Sequence, residues 1–261
     1  MDWDEDVYEF ALKRKVDLTS LEPGKFVEDG KSVFMRMDDN YPNKFINFSK
    51  ELYRSLTSNE YPRPFDEQCI PIYFNNHKIQ FLVMNSSWEI DEHFPERSGI
   101  HSGALSKGLL SANKQIMDAI KQGKLYDDSE VLKIACWHHP VSGNEKIVED
   151  AFMENIQKAD FKLCLHGHVH EERADLFGYL HPTRKINIIG AGSFDAPSID
   201  RPESTPRIYN LLEISTDHGL IRVHTRRKMR NTGAWAAWAV WPNGPHSKRS
   251  YYDIQLNMNV T

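Results

Sequence analysis

Five of the chain's twelve histidines fall in two short clusters. His138-His139 stands before Pro140, and His166-Gly167-His168-Val169-His170 follows further on. A neutral imidazole is a good ligand for zinc, manganese or iron. Two histidines at i and i+2, with a glycine beside them to turn the chain, can point into one cavity and reach ions a few ångström apart. Pro140 keeps His139 extended, which steadies its neighbour. Any one of these histidines alone reads as an ordinary surface or hydrogen-bonded core residue. Their concentration favours metal ligands.

These clusters need rigid elements behind them. The apolar runs VLKIACW and FKLCL read as buried strands, one immediately before each cluster. Loops at strand ends are where α/β proteins build their sites. Helices are expected over 105–122 and 145–158, and a loop over 88–104. IPIYF and KIQFLVMNS form a hairpin turned by Asn75-Asn76-His77. KSVFMRM alternates as a strand does, residues 43–56 read as helical, and residues 7–16 as a short helix. RADLFGYL, KINIIGAG, RIYNLLEIS and GLIRVHTRR are consecutive strands. The expectation is a mixed α/β chain with two packed sheets flanked by helices. No linker divides it, so one domain over 1–261 is expected.

Bulk properties narrow the function classes. With 40% hydrophobic residues the 261-residue chain can bury a sizeable core. A net charge of -5 disfavours coating of nucleic acid by bulk positive charge. Cys69, Cys136 and Cys164 are odd in number and lack CxxC spacing, which suits a reducing compartment. The start, Met1-Asp2-Trp3-Asp4-Glu5-Asp6, is acidic, unlike a signal peptide, and no run has membrane-spanning length. A cytoplasmic protein without membrane partners is expected.

Trp137-His138-His139-Pro140 and Leu165-His166-Gly167-His168-Val169-His170 together resemble the last two motifs of the calcineurin-like metallophosphoesterases. Met84-Asn85-Ser86-Ser87 resembles the strand end before that family's Gly/Leu-rich helix. Ile189-Gly190-Ala191-Gly192-Ser193 resembles the strand after its histidine motif. The resemblance spans roughly residues 70–215. It implies a four-layer αββα sandwich and two divalent ions (manganese, iron or zinc) that bind a phosphate mono- or diester. It places His138 and His168 on one ion and His170 on the other. His139, His166 and Asn85 fall to supporting or substrate-facing positions.

The family's earlier carboxylate motifs have no counterpart. There is no Gly-Asp and no Gly-Asn-His. Asn75-Asn76-His77 reads as a turn. Asp91-Glu92-His93 matches Asp-x-His as a string but reads as a loop. Two divalent cations ~3.5–4 Å apart repel, and a bridging carboxylate normally offsets this. Three histidines bring no negative charge, so one ion or none is a possible state of this chain, and no general acid is assigned. Asp2-Trp3 resembles the continuation of the third motif, so the sandwich is expected to be incomplete at its N-terminus: either the gene is truncated or a complementing polypeptide supplies the first half, and an oligomer is a further expectation. A same-family nuclease and a non-catalytic remnant or binding module are the alternatives.

The strip Arg222, His224, Arg226, Lys228 and Arg230 shares one strand face and reads first as a charged sheet face, second as a phosphate or nucleic-acid contact. Trp235, Trp238 and Trp241 read as packing for the C-terminal segment. Asp195 and Asp200 fall in a loop after the strand that ends at Gly192. If half of the first sheet is missing, apolar edges are exposed. The isolated chain is then expected to be unstable, dimeric or chaperone-bound, and a sharp cooperative melt of a monomer contradicts that.

Overall fold

The computed structural model describes residues 7–142, 146–167, 173–178, 185–192, 194, 206–216, 219–230 and 232–256. His168, His170, Asp195 and Asp200 lie outside them. The described part opens with three short strands, β1 (Tyr8–Leu12), β2 (Phe26–Asp29) and β3 (Ser32–Arg36), in an antiparallel sheet of order β1-β3-β2. This corrects the helix expected over 7–16. Its helical propensity yields to strand pairing, which packs Phe10 on Phe34 at 5.7 Å and leaves only a 3₁₀ turn at Lys13–Lys15. Residues 43–56 are helical as expected, in pieces: a 3₁₀ turn at Tyr41–Phe45, a π-helix at Phe48–Tyr53 and the short α1 at Arg54–Thr57.

The main sheet has six strands: β4 (Cys69–Phe74), β5 (Ile79–Met84), β6 (Leu132–Trp137), β7 (Leu163–His166), β8 (Arg173–Gly178) and β9 (Lys185–Gly190). Their order is β4-β5-β6-β7-β9-β8. The inner strands β5, β6, β7 and β9 run parallel, and β4 and β8 are antiparallel edges. The expected hairpin is present, with its 3₁₀ turn at Asn75–His77 and Lys78 in the left-handed region at φ 51°. Strands buried on both faces read as continuous apolar runs, which is why the inner strands were legible.

One face of this sheet is covered by α2 (Ser102–Lys121) and α3 (Phe152–Lys158). Leu82, Ala135, Cys164 and Ile188 from the strands share a core with Leu105, Ala112, Met153 and Ile156 from the helices. Helix α2 starts three residues earlier than expected because His101 caps it, its Nδ1 accepting from the Ala104 N–H at 3.2 Å. At Gly108 a Cβ would lie 2.3 Å from Cys69 Sγ, so glycine lets the helix close on β4. Helix α3 is shorter than the 145–158 expected and begins at Phe152.

The other face packs on a second sheet built from β10 (Ile208–Ser215), β11 (Leu220–Lys228) and β12 (Trp235–Ala237). A two-stranded ribbon, β13 (Trp241–Pro242) with β14 (Lys248–Arg249), precedes β15 (Tyr251–Gln255), which also pairs with β11. Leu132, Ile134, Leu163 and Ile189 meet Ile221, Val223, Ile254 and Leu256 between the sheets. The architecture is mixed α/β, with two packed sheets and few helices. Among the described residues, no helix contributes to the core of the second sheet. Its outer face instead carries the basic strip. Arg222 forms a two-point pair with Asp253 (Nε–Oδ1 2.7 Å, Nη2–Oδ2 3.1 Å), and His224 Nε2 is 3.2 Å from Glu213. The charged-face reading of the strip fits these pairs. Trp241 packs as expected: its indole N–H donates to Thr225 Oγ1 at 2.8 Å and its ring lies 4.3 Å from that of Tyr252.

The small N-terminal sheet is tied to the main one through Asp91, which is 3% exposed. Its Oδ2 accepts from the hydroxyls of Tyr8 (2.7 Å) and Tyr41 (2.6 Å), and its Oδ1 from the His93 and Phe94 N–H groups at 2.9 Å each. Burial pushes this carboxyl's pKa up, but the four hydrogen bonds outweigh burial and hold it below the usual range. Beside it, burial pushes the Lys44 ammonium down to about 7. Asp91→Ala leaves two hydroxyls and two amides without their acceptor, so we expect a loss of about 3 kcal/mol or more in urea denaturation. The folded-state pKa of Asp91 is depressed, so its contribution is present above about pH 4 and fades as pH falls through the folded value. The acid limb of the stability profile should flatten in the variant; a loss below about 0.5 kcal/mol contradicts this role.

Candidate metal centre

The parallel register brings His138-His139 and His166-Gly167 to neighbouring strand ends. Trp137 at the end of β6 pairs with His166 at the end of β7, and His166 with Gly190 at the end of β9. Residues that follow these strands therefore emerge side by side at the carboxyl edge of the sheet, where open α/β sheets bind ligands. His138 is exposed there, whereas His139 and His166 are buried.

Gly167 sits against His138. A Cβ at Gly167 would stand 3.0 Å from Nδ1 and 3.3 Å from Cε1 of the His138 ring. That close approach gives the glycine of the Gly-His-x-His string a steric reason. His166 supports the same loop from below: its Nδ1 lies 2.9 Å from the Gly167 carbonyl, which only accepts, so Nδ1 carries the proton. Its ring stacks on Trp137 with 6.5 Å between centroids.

Ser86, 1% exposed at the end of β5, organises the other motif. Its Oγ accepts from the backbone N–H groups of His138 and His139 at 3.2 Å each, and lies 2.8 Å from His139 Nδ1. A hydroxyl has two lone pairs and one proton. Both lone pairs are taken by the amides, so the proton goes to His139 Nδ1. His139 is thereby the tautomer protonated at Nε2, buried and packed edge-on against the His138 ring at 5.0 Å. The importance of Ser86 was not visible in the sequence, since a serine at a strand end has many uses.

Asn85 acts as a strand-end residue. Its amide donates to Gln68 Oε1 at 2.7 Å, and its Oδ1 accepts from the Ser87 N–H at 2.7 Å. Both atoms serve local structure. The string Asp91-Glu92-His93 is a loop, as expected, with Asp91 committed to Tyr8 and Tyr41. The thiols of Cys69 and Cys136 are pushed up to about 12 by burial, in keeping with small apolar side chains rather than ligands.

Of the three expected ligands, His138 alone is described. Among the described residues, no group of three or more His, Cys, Asp or Glu side chains has the spacing of a metal site. The described residues here are an exposed imidazole, a buried histidine edge-on to it and a glycine in contact with its ring. No helix of the described residues is long and apolar enough to cross a membrane. No family model matches the sequence. No curated protein matches it either.

Ser86→Ala removes the shared partner of two amides and one imidazole. It should cost about 2 kcal/mol in denaturant melts and release His139 into a mixture of tautomers, visible in long-range ¹H–¹⁵N imidazole spectra. An unchanged Nε2–H tautomer in that variant contradicts the proton assignment.

Proposed function

We propose that this chain is a metal-dependent hydrolase of phosphate mono- or diesters, of the metallophosphoesterase type. The observation that carries the reading is the close approach of Gly167, the residue before His168, to an exposed His138 at the carboxyl edge of parallel strands. In this reading His138 and His168 hold one divalent ion and His170 holds the second, with manganese, iron or zinc suited to imidazole. Such ions, when bound, polarise the phosphoryl oxygens and neutralise their charge.

The chain's own residues contribute positioning. Ser86 holds the backbone of the His138-His139 turn, and the His139 ring lies edge-on against His138. His166 holds the carbonyl of Gly167, the residue before His168. A supporting partner that fixes a ligand's orientation is commonly worth ~10–100-fold in metal affinity or activity. The αββα sandwich of the family belongs to the same proposal, with the helical layer and two packed sheets as its support.

One observation favours a second reading, a non-catalytic binding module. Asp91, the aspartate of the only Asp-x-His string, is sequestered by two tyrosines. A bridging carboxylate therefore has to come from elsewhere. A nuclease is less supported, because Arg222 and His224 of the basic strip already face Asp253 and Glu213.

Purified protein with added manganese should turn over bis-p-nitrophenyl phosphate. His138→Ala and His168→Ala should each lower that turnover by more than the ~100-fold of a supporting residue, with the melt unchanged. Turnover that ignores both substitutions sinks the assignment. A folded, metal-free and inactive protein favours the binding module.

A further inference from the structure

A cavity of about 450 Å³ opens between the start of α2 and the segment leading into α3. It belongs to the same rim as His138. The Gly99 N–H donates to the Ser86 carbonyl at 3.0 Å, while Ser86 Oγ accepts from the His138 N–H at 3.2 Å. One residue thus spans from the cavity wall to the histidine turn, and the two amides lie at most about 10 Å apart. Val148 on the opposite wall donates its N–H to the Ser98 carbonyl at 3.2 Å, and Ile147 beside it donates to Pro140 at 2.7 Å. Cavity and histidine turn share one hydrogen-bonded scaffold.

The lining defines a chemistry. Trp88 and Phe152 supply aromatic surface, and each is braced from behind: Trp88 by His101 at 4.8 Å, Phe152 by Trp137 at 5.4 Å. Ser98 is 6% exposed, yet its hydroxyl has no hydrogen-bond partner among the described residues. The side chains of Ser102 and Asn155, also in the lining, are likewise uncommitted among those residues. Arg97, the cation of the described lining, is already engaged. Its Nη1 donates to the Gly24 carbonyl at 2.6 Å and lies 3.9 Å from Glu89, and its guanidinium covers Phe94 at 3.5 Å. Glu89 is shared between Arg97 and Arg36, at 3.9 and 3.7 Å, and Glu149 adds a second carboxylate to the lining.

Among the described residues the lining offers a second anion no uncommitted cationic side chain. A flat, uncharged ring with hydrogen-bonding edges finds aromatic surface, chiefly of Trp88, and three polar side chains uncommitted among the described residues, the usual make-up of a small-molecule pocket. We infer that this cavity binds an uncharged, planar, hydrogen-bonding ring, of the nucleobase kind, carried by the phosphate ester. The inference rests on the phosphoesterase reading for its ester, but the ring site itself is testable without metal.

The test is calorimetric titration of the chelated, full-length chain with adenosine, and with ribose 5-phosphate as the ring-free comparison. Adenosine should bind saturably and ribose 5-phosphate should not. Ser102→Trp fills the cavity mouth from an exposed helix start, and Asn155→Leu removes a polar edge without added bulk. Both positions are exposed, so the fold should persist. Each variant should weaken adenosine binding, Ser102→Trp by about tenfold or more. Absence of adenosine binding, or equal affinity in both variants, overturns the cavity assignment even if manganese-dependent hydrolysis is found. Adenosine binding lost in the variants, with no hydrolysis by the parent chain, upholds the cavity and overturns the ester chemistry alone.

Discussion

Everything at the candidate site depends on the parallel register of β5, β6, β7 and β9. Parallel strands with matched ends deliver their following loops to one edge of the sheet. Here Trp137 lies opposite His166, and His166 opposite Gly190, so three connections leave the sheet at one level. The register is held because both faces of these strands are buried. Alternate residues meet the helices on one side and the second sheet on the other. A one-residue slip would exchange the two sets, moving Leu163 and Cys164 into each other's environments, and both packings would suffer.

Two buried polar centres extend this order beyond the apolar core. Ser86 joins the end of β5 to the turn after β6, and Asp91 joins the following loop to the N-terminal sheet. Each satisfies several groups at once, so each is a point where one lost side chain leaves many partners unpaired. Residues 88–99 are held within by Asp91 and at their end by the Gly99 N–H, which donates to the Ser86 carbonyl. That pinning gives the cavity beside α2 a defined wall and sets it against the histidine turn.

Legibility in the sequence followed the length scale of the interactions. The inner strands and the β4–β5 hairpin were readable because apolar runs and turn residues act locally. Residues 7–16 were not, since Tyr8 is claimed by Asp91, 83 positions away, and Phe10 by Phe34. Helix α2 began earlier than its apolar period indicated because its cap is a histidine, an unusual choice for that position. The role of Ser86 was invisible for a related reason: its three partners lie 52 and 53 residues downstream.

The sequence by itself determined which residues have ligand chemistry and that each cluster follows a buried strand. His138, His139, His166 and Gly167 were all identifiable from type and spacing. Tertiary structure decided their surroundings. Sheet register and burial leave His138 exposed beside Gly167 and enclose His139 and His166. It also decided that Asp91 serves structure, because burial with two tyrosine hydroxyls occupies the oxygen that a metal would need. The reason is that a residue type fixes what an atom can bond to, whereas only the fold fixes which partners reach it first.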